Sequence, residues 1–311
     1  MADKEKNFVS AVIYIHNAEK RAEAFLKTII GVLEENFRHS EIICVNDASG
    51  DNSVERIKQV GQAAESTSIT VISMSYFHGL ELAMNAGVDM AIGDFVFEFD
   101  NTVLDFAPSV VMDVYRRSLA GFDIVSASPD RRERFSSRLF YRVFDRFTNL
   151  SYHLSTESFR VLSRRVINRI SSMNKAILYR KAIYANCGLK TDNIRYQAGV
   201  GDMPAADIQE KHYRAGLAAD SLILFTELGY RFSIGMTAAM MLISLCMIIY
   251  SVAVYAGGHP VEGWTTTILF FSAAFLGLFG ILTIIVKYLQ LLIDIVFKRR
   301  HYSFESIEKI T

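Results

Sequence analysis

The sequence predicts an α/β fold with a mostly parallel sheet, followed by two helices long enough to cross a membrane. Two observations carry this. In the first two hundred residues, apolar runs of strand length alternate with helical patterns, as in a parallel sheet covered on both faces. Nearer the C-terminal end, Phe232 to Ala256 and Thr265 to Val286 contain no charged residue. Each run is longer than the roughly 20 residues a helix needs to span the hydrocarbon core.

In chain order, "FVSAVIYI" (8–15) gives the first strand, Ala22 to Leu33 a helix, and "EIICVND" (41–47) the second strand. Val54 to Ala64 gives a second helix, and "ITVISMS" (69–75), "DFVFEFD" (94–100) and "FDIVSAS" (122–128) three more strands. Ligands of parallel sheets sit outside the carboxyl ends of the strands. His16 and Asn17, Asn46 and Asp47, and Asp100 gather at those ends. In the strand ending at Asp100, side chains alternate, so Val96, Glu98 and Asp100 share a face. A carboxylate buried alone is costly, so Glu98 needs a partner: a metal, an arginine or a hydrogen-bond network, with a core ion pair favoured.

The stretch "DRRERFSSRLFYRVFDRF" (130–147) is densely basic. Arg138, Arg142 and Arg146 recur every fourth residue, with Phe140, Phe144 and Phe147 on another face, the pattern of a helix lying in a membrane interface. Ile208 to Tyr230 gives a second amphipathic pattern. The organisation is a domain over 1–207, a juxtamembrane segment over 208–231, two transmembrane helices over 232–289 with a short external loop at 257–264, and a tail over 290–311.

The 311 residues are 51% hydrophobic with zero formal net charge, and the mean hydropathy is +0.21. A neutral chain carries no nucleic-acid signature. Cys44, Cys187 and Cys246 have neither metal spacing nor a disulfide framework, which fits a reducing compartment. The charged N-terminal "MADKEKN" is not a secretory signal. The loop between the apolar runs has no Lys or Arg, whereas Lys287 and "KRR" (298–300) follow the second run. The positive-inside rule then places the large domain and both termini in the cytoplasm, with Trp264 at the interface level. The expected location is the inner (cytoplasmic) membrane, multi-pass.

Four segments resemble family 2 glycosyltransferases with the GT-A fold, a Rossmann-like nucleotide-diphospho-sugar transferase sheet. "VNDASGDNS" is similar to that family's Val-Asp-Asp-Gly-Ser-Thr-Asp-Asn-Ser. "HGLELAMNAGVDMAIGD" (78–94) matches its Gly-x-x-x-Ala-x-Asn-x-Gly segment. "SFRVLSRRV" (158–166) resembles the polyprenyl-phosphate branch, which includes dolichyl-phosphate mannose synthases and undecaprenyl-phosphate sugar transferases. The fourth is "YIHNAE", which keeps Asn17 but has Ala18 where Glu is usual. Two further positions depart: Asn46 replaces the first Asp of Asp-Asp, and Thr102 the second Asp of Asp-x-Asp.

The resemblance implies a nucleotide sugar donor, a polyprenyl (undecaprenyl) phosphate acceptor, a lipid bilayer and inversion at the anomeric centre; it leaves a homo-oligomer open. It implies nucleotide-sugar contacts at Asn17, Asp47, His78 and Asn85. Asp100 is implied as a catalytic carboxylate and metal ligand, holding Mg²⁺ or Mn²⁺ in a weak site completed by the substrate, with Asp105 or water assisting. Arg131 and Arg134 are expected at the diphosphate and Arg160 in the site, with Arg164 and Arg165 solvating a helix. A catalytically silent GT-A-like membrane scaffold is the alternative. A processive synthase fits poorly, because its Gln-x-x-Arg-Trp motif is lacking.

Overall fold

A computed structural model describes residues 4–131, 142, 156–173, 179–199, 210, 212–213, 216–217, 228–258, 263–296 and 302–310. The expected helix over 138–147, most of 208–230, the loop at 259–262 and Arg134 lie outside these residues, apart from Arg142, Glu210, His212, Tyr213, Gly216, Leu217 and the start of the first apolar helix.

The elements are β1 (Val9–Ile15), α1 (Glu19–Asn36), β2 (Ser40–Asn46), α2 (Ser53–Gly61), β3 (Thr67–Met74), α3 (Leu80–Met90), β4 (Phe95–Phe99), α4 (Ser109–Leu119) and β5 (Ile124–Pro129). They continue with β6 (Phe159–Ser163), α5 (Arg164–Met173), α6 (Arg180–Ala185), β7 (Thr191–Tyr196), α7 (Leu228–Ala256), α8 (Trp264–Val296) and β8 (Phe304–Lys309). The described strands form one sheet in the order β7-β5-β6-β4-β1-β2-β3-β8. Only β6 and β8 run antiparallel to their neighbours.

Both faces are covered. Val9, Ala11, Ile13 and Ile15 of β1 enter one core with Phe25, Leu26, Ile29 and Leu33 of α1 and Val111, Val114 and Tyr115 of α4. The opposite face carries α3. There a Cβ on Gly87 would come within 2.4 Å of Val12 and 2.7 Å of Val45, so glycine permits the close helix–sheet approach.

The chain divides into two compact units, Met1–Ala218 with Arg299–Thr311, and Ala219–Lys298. The second unit is a helical hairpin. Thr237, Ser244 and Ser251 of α7 recur every seventh residue and are buried, as is Ser272 of α8, and Ser251 donates to the Thr265 carbonyl at 3.1 Å. Small polar residues along such a seam let apolar helices approach closely. Within the most apolar windows, only 17% of α7 and 6% of α8 is buried. Soluble core helices bury their apolar surface; these leave Leu242, Ile249, Phe270 and Ile281 exposed.

The five expected strands are present. Three more were not anticipated: β6, β7 and β8. The reading of 290–311 as a tail is corrected, because α8 runs on to Val296 and β8 pairs with β3 in the domain sheet.

Candidate active site

Two carboxylates stand at the carboxyl ends of the strands flanking β1. Asp47 follows β2 and is fully buried. Its Oδ1 accepts the His78 N–H at 2.7 Å; its Oδ2 accepts the Gly79 N–H at 2.8 Å and the Tyr14 hydroxyl at 3.0 Å. Burial and the neighbouring Asp47 push the Tyr14 hydroxyl well above its usual range, so it stays a donor. Asp47 therefore ties β2 to the turn before α3. Gly79 has φ 83°, and a Cβ there would lie 2.1 Å from the Tyr213 ring, so this turn accepts only glycine.

Around that clamp the β1–α1 and β2–α2 turns interlock. His16 donates from Nδ1 to the Asp47 carbonyl at 2.7 Å, and Asn17 Oδ1 accepts the Gly50 N–H at 2.9 Å. Asn17 is exposed, with φ 47°. Helix α1 lacks a side-chain cap of its own at Ala18. Asp51 supplies one instead, accepting the Glu19 N–H at 2.9 Å. His78 donates from Nδ1 to the Tyr76 carbonyl at 2.6 Å, which leaves Nε2 as acceptor for the Ser303 N–H at 3.2 Å. Asn85 is buried in α3, and its Nδ2 has no hydrogen-bond partner.

Asp100 follows β4 and is met by charge. Its Oδ1 accepts Arg180 Nη2 at 2.7 Å, and its Oδ2 accepts Arg160 Nη2 at 2.9 Å. Glu98 takes Arg160 Nη1 at 2.7 Å, and Arg180 Nη1 and the Tyr184 hydroxyl at 2.8 and 2.7 Å. Glu157 and Glu81 each hold one Nε, of Arg160 and Arg180 respectively. Register explains the meeting: Glu98 lies opposite Arg160 across β4–β6. Burial alone would raise the Asp100 carboxyl, but Arg160, Arg180 and Lys181 outweigh it and hold it well below the usual carboxylate range. The Asp100 side chain, 11% exposed, is the network's most open carboxylate, whereas both arginines are 1% exposed.

The expected core ion pair at Glu98 is present. Arg160, expected in the site, has its guanidinium buried among three carboxylates, Glu98, Asp100 and Glu157. Asp47 and His78 likewise direct their polar atoms at their own chain. Arg131 pairs with Asp105 at 2.9 Å, and Asp105 also accepts the Tyr196 hydroxyl at 2.8 Å. Arg164 does not solvate a helix: it donates to the carbonyls of Ala91 and Gly93, and Arg165 pairs with Asp123. Arg180, absent from every motif, was missed. The signal for it was indirect: buried Glu98 and Asp100 needed more positive charge than Arg160 alone supplies.

Among the described residues, no group of three His, Cys, Asp or Glu side chains is placed to hold a metal ion. Two guanidiniums occupy both Asp100 oxygens, and Thr102 is a buried neutral hydroxyl. That donor set does not fit a resident divalent ion held by Asp100.

Residues 10–171 match glycosyl transferase family 2, and the chain belongs to that family. It is 29% identical over 188 residues to an uncharacterized glycosyltransferase of Synechocystis sp., covering 58% of each chain. It is 28% identical over 194 residues to a prophage bactoprenol glucosyl transferase homolog of Escherichia coli, covering 60% of this chain and 62% of that one. The match thus spans about three fifths of either relative. Among solved structures it resembles glucosyl-3-phosphoglycerate synthase of Mycobacterium tuberculosis, crystallised with Mn²⁺, uridine diphosphate and phosphoglyceric acid. The TM-score is 0.50 at 15% identity, covering 70% of this chain and 78% of the other. At that identity the likeness speaks for the fold, a GT-A sheet.

Proposed function

We propose that this protein is a membrane-anchored glycosyltransferase that moves a sugar from a nucleoside diphosphate sugar to a polyprenyl phosphate at the cytoplasmic face. The observation that carries the reading is a family 2 domain interrupted, before its last strand, by an apolar hairpin. The chain leaves the domain, forms two membrane-length helices and returns to pair with β3. Two crossings keep both ends on one side, and the Lys and Arg following α8 favour the cytoplasm. The likeness to the bactoprenol glucosyl transferase homolog of Escherichia coli supports a polyprenol acceptor.

The chemistry asks little of a general base. A phosphate monoester has its second pKa at about 6, so the acceptor is already largely dianionic at neutral pH. The demand falls on the departing diphosphate, where charge grows. Arg131 is suited to it, being partly exposed and oriented by Asp105; Arg134 is assigned the same role from its sequence position. Asn17, an exposed polar side chain of the interlocked turns, is assigned to the nucleotide. Asp47 and His78 are assigned to shaping the pocket. Mg²⁺ or Mn²⁺ is left the role of a counter-ion carried by the donor's diphosphate.

The experiment is incubation of membranes containing the protein with undecaprenyl phosphate and a panel of labelled nucleotide sugars. Label should enter the lipid extract from one donor. A silent scaffold is the second reading, favoured by the complete engagement of Asp47 and Asp100 within the fold. Nucleotide binding without any transfer across the panel would select it.

A further inference from the structure

Strand β8 is formed by chain that follows the second apolar helix, and it reaches beyond the sheet edge it covers. Thr70 to Met74 of β3 pair with Lys309 to Phe304, with a register shift between Ser73 and Met74. The Ile310 N–H donates to the Ile69 carbonyl at 2.7 Å, and Lys58 pairs with Glu308. At the other end the contacts leave the ladder. Ser303 accepts the Ser75 N–H at 3.2 Å through its carbonyl and donates its own N–H to His78 Nε2. The Tyr302 hydroxyl donates to Asp89 of α3 at 2.8 Å. The return segment thus holds the turn between β3 and α3 from outside, while Asp47 holds the same turn from inside through His78 N–H and Gly79 N–H.

We propose that residues 302–310 are a clamp on the donor loop: Ser303, acting through His78, fixes the 76–79 turn against Asp47, so both are positioning residues for the nucleotide sugar. This rests on the proposed reading of that sheet edge as the donor site. It gives the segment that follows the membrane helices in the chain a part in that site, because this segment completes the loop's frame. The geometry is specific. His78 Nδ1 carries the proton to the Tyr76 carbonyl, so Nε2 can only accept, and the Ser303 amide is the donor it receives.

Ser303→Pro in the full chain in detergent tests this, since proline removes the N–H, keeps the carbonyl for Ser75 and is tolerated at a strand start. Amide exchange at His78 and Gly79 should quicken about fivefold, the loss of one ordinary hydrogen bond, with the amides of β1 and β2 unchanged. The dissociation constant for UDP or GDP, whichever the wild type binds, should rise about as much. His78→Leu removes the acceptor together with the Tyr76 contact, so it should give changes at least as large, and adding Ser303→Pro to it should add nothing further. Unchanged exchange in either variant overturns the clamp. So does faster exchange with unaltered nucleotide affinity, or additive effects in the double variant. A wild type that binds neither nucleotide refutes the proposed function instead, and exchange alone then decides whether Ser303 fastens the loop.

Discussion

Asp47 and Asp100 occupy equivalent positions, at the ends of the two strands that flank β1, yet the fold satisfies them in opposite ways. Asp47 is held by neutral donors, two backbone amides and a tyrosine hydroxyl. Asp100 is held by two guanidiniums that are shared with three further carboxylates. Neutral donors fix a backbone turn without adding charge, so Asp47 acts as a clasp. The guanidiniums add charge that other buried carboxylates must balance, so Asp100 is one member of a unit that stands or falls together. The comparison predicts that damage at Asp47 stays local, whereas damage in the Asp100 network spreads.

The largest effect should come from Arg180→Ala. It leaves Glu81, Glu98 and Asp100 short of a partner, and breaking a buried ion pair from one side costs about 3–5 kcal/mol. The urea midpoint of the detergent-solubilised chain should fall accordingly; a loss below about 1 kcal/mol would mean that water reaches these groups and the contrast is false. Asp47→Ala should cost less, about 2–3 kcal/mol, because it orphans two buried amides without stranding a charge. Its exchange signature should be confined to the turn at 76–79. If β4 and β6 loosened as well, the two sites would not be separate.

Acid should distinguish them further. The Asp100 carboxyl is depressed, since Arg160 and Arg180 outweigh the burial that would raise it. A depressed carboxyl contributes stability that is complete above its unfolded value of about 4 and lost as pH falls through its folded value. Denaturation midpoints measured from pH 7 down to pH 3 should therefore fall more steeply below about pH 4 in wild type than in Asp100→Asn. Parallel curves would remove the electrostatic account of the network.

Sequence alone exposes one side of this comparison better than the other. β1 to β5 are readable because each is an apolar run buried in the sheet. β6 is obscured by Arg160 at its second position, and the partner that makes it buriable, Glu98, lies 62 residues away. β7 and β8 are edge strands whose polar and charged residues, as in "FESIEK", suit an edge and read as a tail. The partner that Glu98 required was legible as a need, because an isolated carboxylate in "FVFEF" is costly. Arg180 was not legible, since it opens a six-residue helix with no periodic signal and meets Glu98 across 82 residues. At Asp47 the resemblance marked the residue but not its bonds to the Tyr14 hydroxyl and the 78–79 amides, because a motif does not record where its oxygens point.

The smallest expected effect lies beside the clasp. Ala48 follows Asp47 with φ 50°, in the left-handed region, where a Cβ crowds the following carbonyl and costs about 1–2 kcal/mol. The strain persists because the turn is fixed on both sides: Asp47 is bonded to the 78–79 amides, and the Ser49 N–H donates to Asn46 Oδ1 at 3.2 Å. Ala48→Gly should relieve the strain, but glycine loses more backbone freedom on folding. The net gain should thus be about 0.5–1 kcal/mol, seen as a raised urea midpoint with unchanged slope. Combined with Asp47→Ala, whose loss frees the turn to leave that conformation, the gain should shrink toward zero, because neighbouring effects do not add. Combined with Arg180→Ala it should persist in full. A gain equal in both backgrounds would show that Asp47 does not impose the Ala48 conformation.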